Sequence, residues 1–277
     1  GRGSAMDIKG MRLTKSLAKI DSQEISISTA VESQNFPVVA WNGSKYLVVW
    51  VDSRSAVAPD YYTDIYGAFV SSAGVVSPLT NPVCAFNYNQ LAPTIATNGS
   101  TFLVVWEDYR GSSSNVYCGR VTNAGAISDG TGVVVSTNSS IKSQPKAIFD
   151  GTNYLITWTD TRNSFSGDIY GVRWTTTNTR IDASDIPICN ATSEQGMSSV
   201  ALVGDTYYVV WHDRRGGAAV DFDIYLARMH KNGTVTDPSG IRLSDKYSPE
   251  TRPVVASTNL SGTAVFYLDM SNGTSKL

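Results

Sequence analysis

Leu47-Val48-Val49-Trp50-Val51-Asp52-Ser53-Arg54 decides how this chain is read, because the chain repeats it. The phrase returns as Leu103-Val104-Val105-Trp106-Glu107-Asp108-Tyr109-Arg110, as Leu155-Ile156-Thr157-Trp158-Thr159-Asp160-Thr161-Arg162, and as Tyr208-Val209-Val210-Trp211-His212-Asp213-Arg214-Arg215. A worn copy, Ala264 to Ser271, closes the chain with Ser271 where Arg is expected. The aspartates fall at Asp52, Asp108, Asp160, Asp213 and Asp269, in steps of 56, 52, 53 and 56 residues. A recurrence of this period marks a repeat architecture.

A second phrase follows the first in each unit, as Asp64-Ile65-Tyr66-Gly67, Asn115-Val116-Tyr117-Cys118-Gly119, Asp168-Ile169-Tyr170-Gly171 and Asp223-Ile224-Tyr225. The fifth unit ends before supplying it, and Asp7-Ile8-Lys9-Gly10 stands at the opposite end of the chain. Ahead of the Trp phrase come short β-branched runs such as Pro37 to Ala40 and Pro93 to Ala96, then Asn42-Gly43, Asn98-Gly99 or Asp150-Gly151. Those dipeptides reach positive φ cheaply and suit two-residue hairpins. No segment carries the 3.6-residue period of a helix. Four antiparallel strands per unit predict an all-β, five-bladed β-propeller. Its last blade takes inner strands from about Arg252 to Met270 and outer strands from about Asp7 to Thr29, so the N-terminal strands close the ring.

One domain is expected over residues 7–277, with residues 1–6, GRGSAM, read as a cloning remnant. No apolar run approaches the ~18 residues of a membrane span, and no signal peptide precedes Asp7. The chain therefore reads as a soluble piece of a longer precursor or as a mature form. A net charge of −2 without a basic cluster argues against nucleic acid. Charged residues are only 17% of the chain, and Ser, Thr, Asn and Tyr replace them, a composition that points to the extracellular space or a cell surface. Cys84, Cys118 and Cys189 are too few and too irregular for a disulfide framework, so buried thiols are expected.

Trp50, Asp52 and Arg54 are spaced by two and project to one strand face. A hairpin pairing Arg54 with Asp64 would hold the guanidinium between two carboxylates. Paired charges of this kind satisfy one another, so the triplets read as fastenings of each blade, with the Trp filling the gap between blades. Loops are where a rigid repeat scaffold carries specificity. Tyr61, Tyr62, Tyr88, Tyr109, Phe165 and Phe222 offer aromatic faces there, and Gln34, Asn87, Gln90, Gln144, Glu194, Gln195 and Glu250 offer amides and carboxylates. Rings stack on sugar faces and amides take hydroxyls. The ligand-binding set is therefore Tyr61, Tyr62, Tyr88, Gln90, Tyr109, Phe165, Gln195 and Phe222.

The pattern PxVAxxGxxYLVVWxDxR followed by DIYGxRV resembles repeats of bacterial cell-surface and secreted β-propeller proteins, and its DIY segment is similar to that of the periplasmic propeller of the Tol system. The resemblance spans the chain from Asp7 and implies recognition or scaffolding rather than a particular ligand. The expectation is thus an extracellular binding module without catalytic activity, monomeric, recognising a glycan or polysaccharide, with no cofactor and no metal. Two alternatives stand beside it. One is a protein partner bound by a scaffold within a larger surface protein. The other is a glycoside hydrolase of the five-bladed propeller type, for which Glu194, Glu250 or Asp245 would supply the paired carboxylates. No blade is expected to depart from the repeat, and His212 and His230 are read as incidental.

Overall fold

In a computed structural model, the described residues are 5–55, 62–163, 166–215, 222–244, 248–257 and 262–270. All regular elements among them are strands. β1 (Ile8–Gly10) pairs with β2 (Ile25–Ser28). Four four-stranded sheets follow. The first holds β3 (Gln34–Trp41), β4 (Lys45–Asp52), β5 (Asp64–Ser71) and β6 (Val76–Pro78). The second holds β7 (Gln90–Thr97), β8 (Thr101–Asp108), β9 (Asn115–Thr122) and β10 (Val133–Val134). The third holds β11 (Lys142–Phe149), β12 (Tyr154–Asp160), β13 (Asp168–Trp174) and β14 (Ile186–Cys189). The fourth holds β15 (Gln195–Val203), β16 (Thr206–Asp213), β17 (Asp223–His230) and β18 (Ile241–Arg242). Last come β19 (Glu250–Ser257) and β20 (Thr263–Asp269), an antiparallel pair. The expected fifth blade is therefore recorded as two two-stranded sheets, β1–β2 and β19–β20.

The chain divides into two compact units, Gly1–Ser112 with Tyr117–Val134, and Ser113–Val116 with Val135–Leu277. In the first unit Leu47, Val49, Ile65 and Val83 of one sheet pack with Phe102, Val104 and Trp106 of the next. In the second, Leu155, Ile169 and Ile188 meet Tyr207, Val209 and Trp211 in the same way. Trp106 and Trp211 thus fill gaps between successive sheets, as their spacing predicts. Trp50 is covered instead by the β1–β2 pair, where Ile8 packs beside Val48 and Val70. Met6 also belongs to the fold, its carbonyl accepting from Gln34 N at 2.8 Å.

The fastening differs from the expected one. Asp52, not Arg54, is the partner of Asp64 across the hairpin, and Asp160 and Asp213 pair with Asp168 and Asp223 likewise. Each Arg folds back onto its own strand. Arg54 Nε donates to Asp52 Oδ1 at 2.9 Å, Trp50 Nε1 donates to Oδ2 at 2.7 Å, and the guanidinium lies 4.1 Å over the Tyr66 ring. Arg110, Arg162 and Arg215 repeat this, each stacked on the Tyr of its DIY phrase or its equivalent. The physical reason is the two-residue spacing: it brings the Arg fork back to the preceding carboxylate without help from the neighbouring strand. Burial, with Asp52 opposite as a lesser cause, pushes the Asp64 carboxyl above the usual carboxylate range; burial does the same at Asp168, facing Asp160.

All three cysteines are buried free thiols. Cys84 Sγ accepts from Arg110 Nη2 at 3.3 Å, and Cys189 Sγ accepts from Arg215 Nη2 at 3.1 Å. Burial raises the Cys84 thiol to about 12.

Candidate functional site

Each innermost strand opens with a residue facing the Asp of its Trp phrase. The pairs are Gln34 with Asp52, Gln90 with Asp108, Lys142 with Asp160, Gln195 with Asp213 and Glu250 with Asp269. All five opening residues are buried. Gln34 Nε2 donates to the carbonyls of Val31 and Glu32 at 3.2 and 2.8 Å. Gln195 Nε2 does the same to Ala191 and Ser193 at 3.1 and 2.7 Å, and Gln90 Nε2 to Tyr88 at 2.9 Å. Lys142 replaces the amide with an ammonium, donating to Asn138 and Ser140. Gln90 and Gln195 were expected to take ligand hydroxyls, but they lie inside, with their amide N–H groups committed to shaping the incoming loop.

Two residues further on, every inner strand turns through positive φ, at Phe36, Ala92, Gln144, Met197 and Arg252 (φ 46 to 56°). The pairing register slips at the same step in all five strands. Such bulges re-aim a side chain and break the ladder locally. The five residues so presented share no chemistry, and here the copies stop agreeing.

In the first unit two of the predicted aromatics come together. The Tyr62 and Tyr88 rings lie 5.1 Å apart, tilted by 49°. Tyr109 N donates to Asn89 O at 2.9 Å, which holds Tyr109 beside the same loop. Its hydroxyl reaches the buried Glu107 carboxylate at 3.4 Å. Tyr88 and Tyr109 are exposed. Tyr61 and Phe165 lie outside the described residues, as does Asp245 of the hydrolase alternative.

In the second unit Phe222, Glu194 and Glu250 are joined by residues that sequence reasoning passed over. His212 stacks on Phe222 with ring centroids 4.4 Å apart, and Arg214 covers the same ring at 4.6 Å. Arg214 Nη1 pairs with Glu194 Oε2 at 3.2 Å. Glu250 N donates to Phe222 O at 2.7 Å, tying the opening of β19 to the backbone that carries that ring. Asp269, across from Glu250, accepts from Ser248 Oγ at 2.9 Å. On the other side Gln144 Oε1 accepts from Met197 N at 2.7 Å and from Thr159 Oγ1 at 3.1 Å. Only 8% of His212 is exposed, and burial lowers its imidazole to about 4, with the nearby guanidiniums of Arg214 and Arg252 adding to the effect. A methyl group at Gly196 would stand 2.9 Å from His212 Nε2, so glycine is what admits the ring.

The repeat therefore has a singular blade after all. Three copies carry Gln at the opening position and one carries Lys, all donors; the fifth carries Glu250, whose carboxylate oxygens are buried. The signal was legible once the five inner strands were aligned on their Trp phrases. Among the described residues no group of three His, Cys, Asp or Glu side chains gathers as a metal site.

No protein-family model matches the sequence, and neither does any of the curated proteins compared with it. Solved structures do match. A thermostable family-43 glycoside hydrolase aligns with TM-score 0.53 and 10% identity over 86% of this chain and 84% of its own. The catalytic domain of Coprinopsis cinerea GH62 alpha-L-arabinofuranosidase aligns with TM-score 0.52 and 9% identity over 87% and 85%. An exo-1,5-alpha-L-arabinanase from a bovine ruminal metagenomic library aligns with TM-score 0.50 and 12% identity over 86% and 88%. The likeness shows a propeller-type fold shared with these enzymes. It also corrects the expectation of a binding module without catalysis: the neighbours carrying this fold along nearly their whole length are glycoside hydrolases, which favours the hydrolase alternative.

Proposed function

We propose that this chain is a glycoside hydrolase. The observation that supports the reading is the break in the repeat at Glu250: a buried carboxylate in place of a donor, joined through Phe222, His212 and Arg214 to the second carboxylate, Glu194. Glycoside hydrolysis needs one carboxyl to protonate the leaving oxygen and another to activate water or attack the anomeric carbon. Glu250 takes the first role and Glu194 the second, with Arg214 placing positive charge beside Glu194. The neighbours named for arabinan and arabinofuranosides suggest arabinofuranosyl linkages as the first substrates to test.

Tyr62, Tyr88 and Tyr109 supply ring faces on which sugar units of a polymer stack. Polymeric glycans are met outside the cytoplasm, and the sparse surface charge fits that setting. The reading takes the five repeats as five blades, with Asp7 to Thr29 supplying the outer strands of the last. The displaced Asp7-Ile8 copy of the DIY phrase supports this. The test is release of reducing ends from arabinan and from aryl arabinofuranosides. Wild type is expected to turn over, and Glu250→Gln and Glu194→Gln each to lose 10²-fold or more, an effect of the size general acid–base catalysis supplies. Turnover equal in wild type and both variants would sink the assignment of the carboxylates; none in wild type on any neutral or acidic glycan would sink the hydrolase reading.

A further inference from the structure

Three nitrogen-bearing groups in the second unit have nitrogen atoms without partners among the described residues. Arg252, on the bulge of β19, is exposed and makes no ion pair or hydrogen bond there. His212 Nδ1 and Arg214 Nε are both enclosed and unbonded. They belong to one neighbourhood. His212 and Arg214 sandwich themselves against the Phe222 ring, and Phe222 O receives the amide of Glu250, two residues before Arg252. Val255 N also donates to Ser199 Oγ at 3.2 Å, which fixes β19 against the strand bearing Gly196 and Met197. The Arg252 charge is felt at the His212 ring. The corresponding bulge residues of the other strands, Phe36, Ala92, Gln144 and Met197, carry no charge, so Arg252 is not part of what makes the fold.

An exposed guanidinium is better matched to an anion than to a hydroxyl. A hydroxyl satisfies one N–H, whereas a carboxylate fills the planar fork of an arginine with two parallel charge-assisted bonds. Glu194 is already held by Arg214 Nη1, and among the described residues Arg252 makes no ion pair. Sites built around polar groups reject ligands that leave those groups unpaired.

We propose that this neighbourhood recognises the carboxylate of a uronic acid, with Arg252 gripping it where β19 passes the stacked His212–Phe222 pair. The substrate class is then an acidic glycan. This rests on the hydrolase reading only where turnover is concerned; carboxylate binding is testable without it.

The experiment titrates the full chain by calorimetry with galacturonic acid oligosaccharides and with the same oligosaccharides after reduction of their carboxyl groups. Wild type is expected to bind the acidic form at least tenfold more tightly. Arg252→Asn suits the positive φ without strain, since Asn enters that region readily, and is expected to abolish the difference while leaving binding of the reduced form unchanged. Arg252→Lys is expected to keep part of it. Equal binding of both forms by wild type, or a preference that survives Arg252→Asn, overturns the proposal. A sulfated neutral oligosaccharide binding as tightly as the uronate overturns the assignment to a carboxylate. Carboxylate-selective binding in a protein that hydrolyses nothing would remove the hydrolase reading and leave this one standing, whereas turnover of neutral and acidic glycans at equal rates and affinities would do the reverse.

Discussion

Asp108 shows what one side chain of the repeated phrase carries. It is fully buried and accepts from Trp106 Nε1 at 2.8 Å, from Arg110 N at 3.0 Å and from Arg110 Nε at 2.8 Å. Removing it leaves a buried indole N–H and a half-buried guanidinium without their acceptor. Breaking such a pair costs about 3–5 kcal/mol, so urea unfolding of Asp108→Ala should show a loss of that order. Arg110→Ala should cost less, because water can reach part of the guanidinium, and the double variant should fall short of the sum. His212 gives a second prediction at this scale. Its folded value of about 4 lies below the 6.5 of an unperturbed imidazole, so between those values the unfolded chain binds the extra proton and the folded chain does not. Stability is therefore unaffected above pH 6.5 and falls as the pH drops toward 4, by up to roughly 3 kcal/mol. His212→Asn should flatten that part of the pH–stability curve; an unchanged slope in the variant would place its origin elsewhere.

Turns at different places in a sheet differ in what they tolerate. Gly240 and Gly132 occupy equivalent points in two sheets, at φ +71° and +99°, and a methyl group there would stand 2.7 Å from Trp211 Cζ2 or 2.5 Å from Trp106. Gly43 has a similar dihedral, φ +97°, with open space around it. Gly43→Ala should therefore cost only the ~1–2 kcal/mol of left-handed backbone, whereas Gly240→Ala adds overpacking of about 1–3 kcal/mol. Equal thermal shifts for the two variants would show that the tryptophan can give way. The five bulges are the other recurring device. They were not legible in the sequence, because Phe36, Ala92, Gln144, Met197 and Arg252 share no residue type, and ordinary residues there give no sign of positive φ. The bulge is imposed by the ladder on either side of it.

For the molecule as a whole, the N-terminal pair bears on stability in the unit that contains it. Ile8 covers Val48, Trp50 and Val70, with Ile25 and Ile27 packed around them. Deleting residues 5–30 should lower the urea midpoint and shift tryptophan emission of the folded chain to longer wavelength by wetting Trp50; an unchanged midpoint would show that the pair is an appendage. The repeated phrase, the turn dipeptides and the alternation of strands were readable because each is set by local geometry: spacing by two, positive φ, a Trp that needs a gap to fill. Tyr62 and Tyr88 meet although one belongs to the β4–β5 connection and the other to the loop leading into β7. The fastening by Arg54 was misassigned, because a two-residue register error across a hairpin cannot be seen from one strand. Gln90 and Gln195 were misplaced for a related reason: an amide before a strand looks solvent-facing until the loop it must pin is folded over it.

The sequence by itself determined the repeat, its strands and its turns, since hydrogen-bonding period and backbone sterics act over a few residues. Only the tertiary structure decided which side chains meet. His212 on Phe222, Arg214 on Glu194 and Glu250 against Phe222 join residues from different strands, and their contact depends on packing between elements that no local pattern records. The same packing buries Glu250 where its counterparts are donors, and it presents Arg252 on a bulge where, among the described residues, it has no ion pair.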